Sequence, residues 1–200
     1  MTKRVSSVLA VLVMMLLVVA GCSKPPEAEM AAAQSSIDAA RTAEAEQYAP
    51  ASWRTAQDTL NAANAAKMEQ DSKFALFRSY GASKALFTSA STLAQKASAD
   101  AAAEKERMRV EVEGLLAQAQ SAFDETNMAL AKAPVGKGNK ADIELIKNDL
   151  AGIGLALEDA KADFAAGKYI SAKSKVEGVM SNTQRISAEL ASAAAKKAGR

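Results

Sequence analysis

Seven apolar side chains, Ile143, Ile146, Leu150, Ile153, Leu157, Ala160 and Phe164, follow one another at steps of three and four residues without a miss. An α-helix places such positions on one face, because its 3.6-residue turn stacks i, i+3, i+4 and i+7. Tyr169, Ala172, Val176, Val179, Thr183, Ile186 and Leu190 repeat the pattern, and Gly167 lies between the two runs. Two stripes of equal period around a glycine predict an antiparallel hairpin over residues 140–195, turning at Gly167-Lys168 and packed like a coiled coil. Charge agrees with the pairing. Residues 140–163 carry six acids against three bases, and residues 168–200 carry seven bases against two acids.

Upstream the same period recurs with smaller side chains. Met30, Ala33, Ile37 and Ala40 mark a first helix running to about Gln47 and ending at Tyr48-Ala49-Pro50. Pro50 disfavours helix at the residue before it and suits the first turn of the next. Trp53, Ala56, Leu60 and Ala63 mark the second helix. Gln70-Asp71-Ser72 offers an N-cap for a third, opened by Phe74, Phe77 and Tyr80 and continued by Ala82, Leu86, Ala90, Leu93 and Ala97. Residues 100–133 stay helix-compatible along Met108, Val112, Leu115 and Ala119, and both a bend near residue 98 and an unbroken helix fit the pattern. Pro134 to Asn139 reads as the clearest interior loop. The expected fold is all-α, with elongated antiparallel helical hairpins in a coiled-coil-like bundle. An N-terminal alanine-rich domain spans residues 28–102, and C-terminal helices span residues 103–200. Leu60, Ala63, Asp71, Phe74 and Ala75 echo Leu157, Ala160, Asp163, Tyr169 and Ala172, which suggests two hairpins of one kind.

The first residues are of another character. Lys3 and Arg4 precede an apolar run over residues 8–20, and small Ala20 and Gly21 stand before Cys22, the single cysteine. Thirteen helical residues rise only about 20 Å, short of the roughly 30 Å hydrocarbon core. The segment therefore reads as an export signal over residues 1–21 rather than a span. A plain secretory signal needs no cysteine at that place. Val19-Ala20-Gly21-Cys22 resembles the lipobox of bacterial lipoproteins, which implies diacylglycerol on the Cys22 sulfur and an N-acyl chain after cleavage. Two such chains already anchor a protein stably. Ser23 stands where lipoproteins of the inner membrane often carry Asp, so the resemblance implies the periplasmic side of the outer membrane, with the inner membrane the weaker alternative. Residues 22–27, with Pro25 and Pro26, read as a short tether.

Composition bounds the chemistry. Cleavage after residue 21 removes two of 25 basic residues and none of 23 acidic ones, leaving 23 of each. That balance gives no field for nucleic acid. Histidine is absent and the lone cysteine is assigned to acylation, so imidazole bases, thiolate nucleophiles and the zinc sites they build are excluded. No cofactor beyond the acyl groups is expected. Alanine makes up about a quarter of the chain, the economy of closely approaching helices rather than of a bulky interior.

Ala39-Ala40-Arg41 before Tyr48-Ala49-Pro50, then Ala56, Leu60, Ala63, Tyr80, Lys84, Ala90, Leu93 and Ala97, resemble an alanine-rich domain of unknown function found in proteobacterial envelope lipoproteins. The likeness covers residues 28 to about 103, and Tyr-Ala-Pro is its distinctive string. It implies a helical envelope protein and supplies no catalytic residues. Members often carry an OmpA-like peptidoglycan-binding domain downstream, where this chain carries a second hairpin. A looser likeness is to murein lipoprotein, acylated and heptad-patterned. That protein joins peptidoglycan through a C-terminal lysine, whereas Lys196-Lys197-Ala198-Gly199-Arg200 closes this sequence.

Other candidates are weak. Gly136-Lys137-Gly138 lacks the glycine frame and the Lys-Ser/Thr of a phosphate loop. Asp124-Glu125 and Glu158-Asp159 are adjacent carboxylates, and adjacent helix positions diverge by about 100 degrees, so solvated faces are expected rather than a cation site. Lys196, Lys197 and Arg200 read as a solvated helix end. Trp53, Phe74, Phe77, Tyr80 and Phe87 either line a groove for a lipid or peptide or form the core of the first hairpin; their spacing favours core. The expected function is a non-catalytic, lipid-anchored scaffold, spacer or adaptor in the periplasm, tied to the membrane by its lipid. Its partner would be an envelope protein, peptidoglycan or a second copy. The alternative is a periplasmic carrier using the aromatic residues.

Overall fold

The computed structural model describes residues 24–133, 135 and 140–198, with side chains described to residue 192. The leader, Cys22, Ser23, the expected loop at Pro134 and 136–139 with its glycine motif, and the side chains of Lys196, Lys197 and Arg200 lie outside the described residues. All regular structure among the described residues is helical: α1 (Glu27–Thr42), α2 (Ala45–Tyr48), α3 (Pro50–Asp71), a 3-10 turn (Ala75–Phe77), α4 (Gly81–Lys132), α5 (Lys140–Ala165) and α6 (Tyr169–Ala198). The chain forms two compact units, one ending at Glu104 and one beginning at Lys105, and α4 contributes to both.

In the first unit three helices share a core. Ala33 from α1, Ala63 from α3, and Phe87 and Ala90 from α4 are buried together, with Met30, Leu60 and Leu86 packed against them. Side-chain bonds give the register. Glu29 of α1 meets Lys84 of α4 at 2.7 Å, and Ser36 meets Ser91 at 2.8 Å, so these helices run parallel. The α3 helix runs against α4: Ser52 donates to Asp100 at 2.5 Å and, at the other end, the Tyr80 hydroxyl donates to Asp71 at 2.6 Å. Pro50 occupies the first turn of α3, where its missing N–H costs nothing.

Three sequence expectations need correction here. The first helix stops at Thr42 rather than near Gln47, because Glu44 adopts a left-handed conformation (φ 59) and a separate turn of helix follows. Ser72 does not cap a third helix. It ends α3, its hydroxyl donating back to the Glu69 carbonyl at 2.7 Å, and α4 begins only at Gly81. The buried stripe of α4 is Ser83, Phe87, Ala90, Ala94, Ala97 and Ala101, whereas Ala82 is exposed and Leu86 and Leu93 are half-buried. Alanine occupies several faces of this helix, so two stripes compete in the sequence, and burial of the Phe87 ring selects between them. Residues 81–132 form one helix without a break in its secondary structure.

In the second unit Val112, Leu116 and Ala119 of α4 join Ile143, Ile146, Leu150, Ile153, Leu157 and Ala160 of α5 and Ala172, Val176, Val179, Ile186 and Leu190 of α6 in one core. Helices α5 and α6 pack on each other with the residues of both apolar stripes buried, and with Phe164 and Tyr169 half-buried at the turn. Gly167 closes α5 with φ 74; its N–H donates to Phe164 O at 3.0 Å and that of Lys168 to Asp163 O at 2.9 Å. This is the Schellman arrangement, in which glycine takes the left-handed position without a Cβ penalty. Phe164 and Tyr169 pack across the turn with ring centroids 5.4 Å apart. Asp163 pairs with Lys175 at 2.7 Å and Asp149 with Arg185 at 3.7 Å, the acid-to-base complement expected between the two helices.

Candidate functional site

The five aromatic residues singled out in the sequence do not come together. Trp53 is buried near the start of α3, where the Arg41 guanidinium lies 5.6 Å from its ring centroid. Phe87 is wholly buried in the first unit's core, and Tyr80 is 2% exposed at the start of α4. Phe74 and Phe77 are not part of the core. They stand 70% and 75% exposed on the turn between α3 and α4, rings 6.4 Å apart, with Leu76 52% exposed beside them. Spacing misled here for a definite reason. Phe74, Phe77 and Tyr80 continue a helical period, but the backbone at Phe74 and Arg78 is extended, so these rings leave the stripe.

That turn is built rather than loose. The Arg78 guanidinium donates to Lys73 O and Asp71 O, each at 2.9 Å, and the Ser79 N–H donates to the Gln70 side-chain oxygen at 3.1 Å. At its base the Asp71 carboxylate accepts from Lys67 at 2.7 Å and from Tyr80 at 2.6 Å. The Lys67 ammonium first, then the Tyr80 hydroxyl, hold the Asp71 carboxyl below the usual carboxylate range. The same carboxylate, with burial, raises the Tyr80 hydroxyl above its ordinary value. A carboxylate, an ammonium and a phenol in contact shift one another toward a closed ion pair, so this cluster acts as a clasp between α3 and α4. Sequence reasoning passed over Leu76, Arg78 and the polar clasp. The available signal was the spacing of Asp71 and Tyr80 around a segment with cations at both ends.

The adjacent carboxylates behave as solvated helix faces. Asp124 accepts from Gln120 at 3.0 Å, Glu125 from Ser121 at 3.2 Å, and Glu158 pairs with Lys161 at 2.7 Å. Among the described residues no three acidic, cysteine or histidine side chains group as metal ligands, and no helix is long and apolar enough to cross a membrane.

No curated protein and no solved structure matches this chain. Residues 28–113, the helices of the first unit and the next stretch of α4, match the family model described as a domain of unknown function (DUF4398).

Proposed function

We propose that this protein is a non-catalytic, lipid-anchored helical scaffold or adaptor held at the periplasmic face of a bacterial outer membrane. The carrying observation is Cys22, the single cysteine, placed directly behind a charged start, an apolar run and two small residues. Diacylglycerol on its sulfur and an N-acyl chain supply the attachment. Roughly 0.8 kcal/mol per buried CH₂ makes several such chains a lasting anchor. Two helical units then present long polar helix faces to partners. The match to a domain of unknown function in residues 28–113 is consistent with this reading and carries no activity of its own.

The experiment is fractionation of cells making the chain and its Cys22→Ser form, with globomycin added to a parallel culture. Expected are labelling of the parent by radioactive palmitate in the membrane fraction, accumulation of precursor under globomycin, and loss of the palmitate label in Cys22→Ser. A Cys22→Ser form labelled like the parent and an unchanged precursor level overturn the anchor. Crosslinking in intact envelopes then tests the adaptor role, and recovery of the protein alone counts against it.

A further inference from the structure

The exposed turn after α3 has a position as well as a composition. Since α1 runs parallel to α4 and α3 antiparallel to both, the segment between Asp71 and Gly81 lies at the end of the first unit where α1 begins. Glu29, in the first turn of α1, pairs with Lys84, in the first turn of α4, and Glu27 is close enough to Lys67 to raise its pKa. Pro26 is buried, so the chain enters α1 seated on the unit rather than swinging from it. Cys22 precedes Glu27 by five residues, a reach of at most roughly 18 Å.

At this end the turn displays Phe74, Leu76 and Phe77 to solvent, and Met68 on the last turns of α3 is 70% exposed as well. Between Asp71 and Gly81 it carries Lys73 and Arg78 and no carboxylate. Arg78 and the Asp71 clasp hold the backbone so that the rings do not fold back onto the core. Lys73 pairs with Glu69 at 2.9 Å and Arg78 is held by backbone carbonyls, so the support is fixed. Exposed apolar tips flanked by these two basic residues suit the boundary between headgroups and acyl chains, where rings enter the hydrocarbon edge.

We propose that the turn between α3 and α4 is a membrane-inserting tip, burying Phe74, Leu76 and Phe77 in the bilayer to which Cys22 ties the chain. It rests on the lipid-anchor reading for its position. Two attachments at one end, the acyl chains and the tip, set the orientation of the first unit against the bilayer, which the acyl chains alone leave free.

The test couples the chain over residues 22–200, through the Cys22 thiol, to a maleimide-headgroup lipid in phosphatidylethanolamine–phosphatidylglycerol vesicles. A Trp53→Phe background carries one reporter, Phe74→Trp at the tip or Gln47→Trp at the other end of the unit. Expected are a blue shift and strong quenching by acyl-brominated lipid for Phe74→Trp, and neither for Gln47→Trp. Equal behaviour of the two reporters overturns the tip. So does a blue shift of Phe74→Trp without vesicles together with a doubled mass in light scattering, which assigns the turn to a second copy. A second measurement needs no reporter: vesicle flotation of the Cys22→Ser chain against its Phe74→Ser/Phe77→Ser derivative. The derivative should partition about tenfold more weakly, the equivalent of 1.4 kcal/mol, and equal partitioning overturns the proposal. Because the coupling is chemical, these outcomes stand whether or not cells acylate Cys22, and the globomycin experiment judges that question separately.

Discussion

The two units follow one plan and fill it with different side chains. On the returning helix of the first, Tyr80, Ser83, Phe87, Ala90, Ala94, Ala97 and Ala101 are buried; on that of the second, Ala172, Val176, Val179, Thr183, Ile186 and Leu190 are buried behind a half-buried Tyr169, at identical spacing. The helices before them match as well, Trp53, Ala56, Leu60 and Ala63 against Leu150, Ile153, Leu157 and Ala160. Ala33, Ile37 and Ala40 of α1 correspond to Val112, Leu116 and Ala119 of α4. The echo noted in the sequence paired Phe74 with Tyr169; burial and spacing make Tyr80 the counterpart instead. A seam of alanine gains stability from backbones that approach closely, whereas a seam of Leu, Ile and Val gains it from the area each side chain removes from water.

That contrast is broken or sharpened first by exchanging sizes. Leu157→Ala should lower stability by about 2–5 kcal/mol, and Leu60→Ala, at the half-buried counterpart, by clearly less. Ala63→Leu should cost about 1–3 kcal/mol by overpacking. Urea denaturation gives the magnitudes, and hydrogen exchange assigns each loss to its unit. If Ala63→Leu is tolerated, the alanine seam is not close-packed and the comparison fails.

The turns differ next. In the second unit the backbone makes the turn, through Gly167 in the left-handed region. In the first, side chains hold a longer connection together. Gly167→Ala should therefore cost about 1 kcal/mol, read as a lower urea midpoint at unchanged m-value. An unchanged midpoint would mean the hairpin does not depend on its glycine.

Acid should show the smallest effect and test the clasp. Asp71, held low by Lys67 and then Tyr80, and Asp163, held low by Lys175 and then Ser171, have folded pKa values below the unfolded value of about 3.9. Each contributes stability that is present above the unfolded pKa and is lost as pH falls through the folded one. Melting temperature should thus decline as pH falls below about 4. Asp71→Asn should flatten that decline for amides flanking the α3–α4 turn and leave the α5–α6 turn titrating; equal flattening at both would deny the clasp its local role.

The legible part of this fold is the part with large side chains. Leu150, Leu157, Val176 and Ile186 stand out against charged neighbours, so one helical face satisfies the pattern and the α5–α6 hairpin is readable with its register and turn. In residues 81–101 alanine appears on several faces, and the stripe through Ala82 and Leu86 looked as good as the true one through Ser83 and Phe87. The candidate site was legible only as a set of aromatic residues, not as two exposed rings at the end where α1 begins.

Helix content, hairpin pairing of the last two helices and the chemistry denied to a chain without histidine follow from local periodicity and composition, because a turn of helix reads only its neighbours four residues away. The break at Glu44, the outward turn at Phe74 and Phe77, the choice of stripe on α4 and the third helix completing each core needed the folded chain. The choice of stripe and the third helix rest on contacts between residues far apart in sequence, such as Glu29 with Lys84 or Ser36 with Ser91, and the outward turn on bonds that span it, such as Asp71 with Tyr80; together these outweigh the small local preferences that a sequence displays.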